Sequence, residues 1–252
     1  MNIHQIIFSP TGGTRRVSEI LCQNMGEQGL VTDLCVKAHD MRLPKICKDD
    51  LAVVAMPVFA GRVPAVAVER LRRINANGAK CVVVAVFGNR AYDDALLEMQ
   101  DVATDMGFQM VAAVAAVAEH SIIRKYGKGR PDVDDEQTLR RFATDIMCKV
   151  EQDNRYVPQM PGVRPYKQGG KVPQPNGGRG CSGCGVCAKH CPTDAISPAN
   201  PKAVDTTKCI SCMKCVSVCP AGARDIGFIM KHIATLHLKK VCTKRKENEL
   251  YL

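Results

Sequence analysis

No stretch of this 252-residue chain approaches the roughly 20 consecutive apolar residues that a membrane-spanning helix requires, and the longest run, Met110 to Ala118, falls far short. No signal-peptide pattern precedes the first apolar run. These absences speak against a helical membrane protein and lead to the expectation of a cytoplasmic chain with no membrane association. Tryptophan is missing and aromatic residues make up only 4%, so stacking on a flat ligand falls to phenylalanine or tyrosine. Acidic residues are scarce in one region: residues 154–252 hold 5 Asp+Glu against 16 Lys+Arg, whereas residues 1–153 hold 20 against 19. The net charge of +10 is therefore a C-terminal property. A disulfide rhythm is also lacking, since Cys22, Cys35, Cys47, Cys81, Cys148 and Cys242 have no regular spacing, which suits a reducing compartment. What is present is a 46% hydrophobic composition, enough for a core, and length for one medium and one small domain.

The remaining cysteines form two copies of one pattern, 28 residues apart. The first is Cys181, Cys184, Cys187 and Cys191 followed by Pro192; the second is Cys209, Cys212, Cys215 and Cys219 followed by Pro220. With 14 cysteines in the chain, the three offsets after any one of them would coincide by chance only about once in six thousand trials. A zinc site would use four ligands, usually as separated C-x-x-C pairs, and would leave the third cysteine of each triplet unexplained. The run resembles that of bacterial two-cluster ferredoxins, in which the fourth cysteine of each repeat serves the other cluster. That resemblance implies one [4Fe-4S] cluster on Cys181, Cys184, Cys187 and Cys219, and another on Cys209, Cys212, Cys215 and Cys191. Two oxidised clusters with their thiolates would lower the net charge to about +6, which weakens a nucleic-acid reading and leaves a basic surface for an acidic redox partner.

Upstream, apolar runs alternate with amphipathic ones. Asn2 to Phe8 reads as a strand, broken by Ser9-Pro10-Thr11-Gly12-Gly13-Thr14 before a helix with Val17, Ile20, Leu21 and Met25 on one face. Further strands are expected over Val31–Val36, Leu51–Met56, Lys80–Phe87 and Gln109–Val117, with helices over Ala65–Ile74, from the Asp93-Asp94 turn to Met106, and over Asp134–Glu151. Five strands alternating with helices predict a parallel sheet covered on both faces. The first loop is neither a Walker loop nor a G-x-G-x-x-G fingerprint, but it sets N–H groups and hydroxyls at a helix start, where phosphates bind.

The loops S-P-T-G-G-T, P-V-F-A-G-R-V-P and G-N-R-A-Y-D-D, each after a strand, make residues 1–153 similar to flavodoxins, and the whole chain resembles the fused flavodoxin–ferredoxin proteins of anaerobic microbes. The resemblance implies an α/β doubly wound sheet of order 2-1-3-4-5, then a small α+β ferredoxin domain. It also implies flavin mononucleotide (FMN), with its phosphate held by Ser9, Thr11, Gly12, Gly13 and Thr14. The flavin ring would lie between Phe59, Ala60 and Gly61 on one side and Gly88, Asn89, Arg90 and Tyr92 on the other. Two departures stand out: the missing tryptophan, and Arg15-Arg16 beside the phosphate loop.

The domain layout read from the chain is 1–153 flavodoxin-like, 154–180 a Pro/Gly-rich linker, 181–222 the two-cluster unit and 223–252 a basic helix and tail. Fully extended, that linker could reach roughly 90 Å, so the sequence leaves the distance between the halves open. The tail helix, with Ile226, Ile229, Met230, Ile233, Leu236 and Val241 at helical spacing, is expected to pack on the body. The function expected is electron transfer between FMN and the clusters, a carrier rather than a dedicated enzyme. The alternatives are a reductase of a small organic acceptor with Tyr92, Arg90 and His120 near the flavin, and a non-enzymatic adaptor without FMN.

Overall fold

The computed structural model describes residues 1–26, 28–152, 156–157, 159–170 and 172–252. Four strands rich in Val, Ile and Ala, β1 (Ile3–Ile7), β3 (Leu51–Pro57), β4 (Lys80–Phe87) and β5 (Gln109–Val117), form the buried centre of a sheet. Near-continuous apolar runs of this kind belong to strands covered on both faces. The period of two divides them. Ile6, Val54, Val83 and Ala113 face α2 (Ala65–Leu71) and α3 (Ala95–Asp105). Ile3, Val53, Val82, Val84 and Val114 face α1 (Gly13–Cys22) and α4 (Val133–Glu151). An Asp132/Asp135 capping box starts α4.

The strand order is 2-1-3-4-5 with one addition, a sixth strand. β8 (Glu249–Tyr251), from the C-terminal tail, pairs antiparallel with β5, setting Tyr251 opposite Ala113 and Glu249 opposite Ala115. The expected five-stranded sheet is thereby corrected to six strands, because the tail returns to cover an edge that β5 would otherwise leave unpaired. β2 (Gln28–Asp33) starts and ends about three residues earlier than expected. Asp33 Oδ1 accepts the Cys35 N–H at 2.7 Å and turns the chain there, so Leu34 and Cys35 leave the strand for the core.

Within the segment between the sheet and the cysteine repeats, residues 163–167 are pinned to the sheet's flank. Asp94 accepts the N–H groups of Val163 and Lys167, Asp101 binds Arg164 and Tyr166, and the Arg62 guanidinium lies 4.6 Å from the Tyr166 ring. The expected domain junction at 153/154 lies outside the described residues. The segment ends as β6 (Asn176–Gly177), paired with β7 (Arg224–Asp225), which closes the small C-terminal unit on itself.

Candidate redox centre

The cysteine repeats fold as duplicates. α5 (Val186–Lys189) carries Cys187 and α6 (Lys214–Ser217) carries Cys215. Left-handed backbone recurs at the same offsets: Gly183 and Ser211, Gly185 and Met213, Asp194 and Gly222. The bond to the fourth cysteine recurs as well, with the Ala195 N–H donating to Cys191 Sγ and the Ala223 N–H to Cys219 Sγ, both at 3.3 Å. What repeats is thus a backbone path that wraps a centre, and not cysteine spacing alone.

Two small hollows result. One is lined by Cys181, Cys184, Cys187 and Cys219; the other by Cys191, Cys209, Cys212 and Cys215. Among the described residues no three His, Cys, Asp or Glu side chains converge tightly enough to hold a single metal ion. Burial pushes the Cys212 thiol up to about 12. Burial also pushes Cys219 up, but the N–H groups of Ala223, Ala221 and Arg224 outweigh it and hold that thiol below its ordinary value.

The two hollows differ in surroundings. Ser182, Gly183 and Cys184 are exposed, whereas Ser211, Cys212, Met213 and Cys215 are buried. The end of the first repeat and the buried second repeat together face the C-terminal edge of the large sheet. Ser217 Oγ donates to Pro10 O at 3.3 Å, Lys37 pairs with Asp194 at 2.6 Å, and the buried Arg70 donates to Leu34 O and Pro192 O.

Beside that junction is a cavity of about 610 Å³. Its walls come from six places: Val58, Phe59, Ala60 and Gly61 after β3; Gly88, Arg90, Ala91 and Asp93 after β4; His120, Ser121 and Ile122 after β5; Lys167, Gln168, Gly170, Val172 and Pro173 ahead of the cysteine repeats; Ile210 and Ser211 from the second repeat; and Met230, Ile233, Ala234, His237 and Leu238 of α7 (Phe228–Cys242). Phe59 to Arg62 is a tight turn with φ +51 at Ala60 and +87 at Gly61. Glycine is required at both loop contacts, because a Cβ on Gly61 would lie 2.5 Å from Asp93 Oδ2 and one on Gly88 would lie 2.8 Å from His120. The His120 Nδ1 accepts the N–H groups of Ile122 and Ile123, which leaves the ring proton on Nε2, and burial pushes this imidazole towards its neutral form. Arg90 pairs with Asp93, and Lys167 lies 3.5 Å from the same carboxylate.

The other residues singled out from the sequence are placed elsewhere. Asn89 and Tyr92 face the C-terminal tail: Asn89 donates to Cys242 O and Lys244 O and accepts the Lys246 N–H, while the Tyr92 hydroxyl donates to Glu249 and lies 2.7 Å from that of Tyr251. The Ser9 to Thr14 loop is not on the cavity wall. Ser9 Oγ accepts the Arg15 N–H at 2.9 Å, Thr14 is buried, Thr11 and Gly12 are exposed, and Gly13 abuts Ala118. Sequence reading missed α7 as a wall. That helix was expected to bury its apolar face, yet Phe228 is 83% and Ile229 71% exposed. Its apolar residues are spread around the axis rather than along one stripe, so only Ala234, Leu238 and Cys242 settle on Ile122, Ile123 and Tyr126.

Residues 180–223 match the family described as the 4Fe-4S dicluster domain, and this C-terminal unit is accordingly a site for two [4Fe-4S] clusters. Over 55 residues the chain is 40% identical to the trichloroethene reductive dehalogenase of Dehalococcoides mccartyi, a match covering 16% of this chain and 10% of that protein's length. Among solved structures, an archaeal flavodoxin covers 60% of this chain and is itself covered to 99%, at 16% identity and a TM-score of 0.45. The flavodoxin of Streptococcus pneumonia TIGR4 covers 59% and is covered to 99%, at 21% identity and a TM-score of 0.43. The rubredoxin:oxygen oxidoreductase of Desulfovibrio gigas covers 60% and is covered to 36%, at 13% identity and a TM-score of 0.42. The flavodoxin-type fold is read from the strand order 2-1-3-4-5, not from these likenesses. Among the described residues no helix is long and apolar enough to cross a membrane.

Proposed function

We propose that this chain, a flavodoxin-type sheet joined to a 4Fe-4S dicluster unit, is an electron-transfer protein that binds FMN in the 610 Å³ cavity and exchanges electrons between it and the two clusters. The observation that carries the reading is the shared wall: Ile210 and Ser211, flanked by Cys209 and Cys212, line the same cavity as the loops after β3 and β4. Ligands bind open α/β sheets at this edge, and the volume falls within the usual range for small-molecule sites. Val58, Phe59, Ile210, Met230, Ile233 and Leu238 offer apolar surface to a flat ring, while Arg90 and the Nε2–H of His120 supply polar contacts. Ser9, Thr11, Gly12, Gly13 and Thr14 at the start of α1 would hold the phosphate end, with Gly12 at φ +96 turning the chain into the helix. FMN supplies one- and two-electron chemistry where each cluster supplies one electron. The proximal cluster is then the one on Cys191, Cys209, Cys212 and Cys215, and exposed Cys184 marks the distal cluster as the port for an external redox protein. The basic C-terminal surface fits an acidic partner.

Anaerobically purified chain should carry one FMN and eight irons. The Ile233→Trp variant, which fills the cavity from the side of α7, should bind FMN at least tenfold more weakly while keeping its iron. Full iron without flavin in the parent chain would sink the FMN half of the reading and leave an adaptor. The cavity's pairing of Arg90 with neutral His120 favours one second reading, a reductase of a small organic acceptor. Multiple turnovers on such an acceptor, lost when FMN is removed, would select it.

A further inference from the structure

Arg224 has an environment that the fold alone does not require. It opens β7, is only 2% exposed, and pairs with no carboxylate among the described residues. Its guanidinium donates to two neutral carbonyls, Pro201 O and Pro175 O, and to Cys187 Sγ at 3.6 Å, while its Nε has no hydrogen-bond partner. A buried cation without a counter-charge is strongly unfavourable, by several kcal/mol. Among the described residues no carboxylate is bonded to it, Asp225 pairing instead with Lys231, and the hollows beside it are those of the two cysteine sets. Arg224 lines the hollow of Cys181, Cys184, Cys187 and Cys219. It also donates to the carbonyl of Pro175, a residue that lines the other hollow, and its charge acts on Cys215 and Cys209 there.

The missing negative charge is what the two hollows would contain. Each oxidised cluster with four thiolates carries two negative charges, and reduction adds a third. A fixed, desolvated cation that lines one hollow and is bonded to the wall of the other stabilises the more negative, reduced form, and does so more strongly than a surface lysine because little water screens it. We propose that Arg224 is the shared internal counter-ion of both clusters, a positioning residue that raises both reduction potentials together and keeps them close enough for electrons to pass between the two centres. Lys189, Lys202, Lys208 and Lys214 are at least partly exposed and cannot supply such an unscreened charge.

The inference rests on the two-cluster reading, so iron content is measured first: a parent chain that does not load eight irons overturns that reading. With the full chain reconstituted anaerobically, EPR-monitored redox titration gives the potential of each cluster. Arg224→Gln removes the charge at nearly constant shape. At a fixed potential it should lower the reduced-to-oxidised ratio about tenfold for each cluster, equivalent to about 59 mV for a one-electron couple. Arg224→Lys keeps the charge and should hold both ratios within about threefold of the parent. A loaded glutamine variant with one or both potentials unmoved overturns the proposal. Where the glutamine variant does not load, the lysine variant decides. Loading with near-parental potentials supports a role for charge, whereas failure to load, or potentials that drop tenfold, would show that Arg224 serves only to tie Pro175, Pro201 and β7 together.

Discussion

Asn89 illustrates how one side chain can have a role that its loop does not announce. Its position after β4 is where a flavin contact is expected, but its amide is 3% exposed and committed to the tail carbonyls of Cys242 and Lys244 and to the Lys246 N–H. Asn89→Ala would strand these buried groups and cost about 2–4 kcal/mol. At about 2–4 °C per kcal/mol for a chain of this size, differential scanning calorimetry should record a drop in Tm of roughly 4–16 °C, and an unchanged Tm would contradict the assignment. Asp50 is a second such residue. Burial raises its carboxyl, but the N–H groups of Asn2 and Cys47 and the ring of His4 outweigh it and bring it down to about 2. A depressed carboxylate stabilises the fold above its unfolded value near 3.8, and that contribution fades as pH falls through about 2. Urea titrations should therefore find Asp50→Asn less stable than the parent by about 1–2 kcal/mol at pH 5, after allowance for screening, with the gap closing towards pH 2. A gap that stays constant with pH would count against it.

At the scale of elements, what the sequence made legible was whatever is encoded locally. The four central strands announce themselves because both faces are buried, and the cysteine repeats do so because three of four ligands lie within one turn of chain. The cavity was only half legible. The loops after β3 and β4 could be named, but Met230, Ile233 and Leu238 come from a helix some 140 residues downstream, and no periodicity says which side of α7 meets them. β8 was missed for a related reason: Glu249–Tyr251 is too short for a pattern, and it is a strand because β5 offers it an edge. Removing residues 247–252 deletes that pairing together with the Asn248 contacts to Val117 and Asp135 and the Tyr92–Glu249 bond. The truncated chain should lose about 2–4 kcal/mol in urea denaturation while retaining its iron, since the strand is attached to the sheet and not to the cysteine unit. Loss of iron in step with stability would show that the two halves do not behave as drawn.

For the molecule as a whole, the arrangement sets the proposed flavin cavity and the cluster unit against one another. Contacts from Arg62, Asp94 and Asp101 lay residues 163–167 along the sheet's flank, Arg70 through Pro192 of the first repeat and Ser217 of the second seat the cysteine unit on the sheet edge, and α7 closes the cavity from the other side. The C-terminal segment is basic by 16 Lys+Arg to 5 Asp+Glu. Two clusters offset part of that charge, and the remainder faces outward. The central claim, that flavin and clusters exchange electrons within one chain, is tested most directly by photoreducing the FMN of the anaerobic, fully loaded protein with a laser flash and following cluster reduction across a range of protein concentrations. The account predicts first-order kinetics with a rate constant independent of concentration. A rate that rises in proportion to protein concentration, or clusters that stay oxidised while the flavin is reduced, would contradict it.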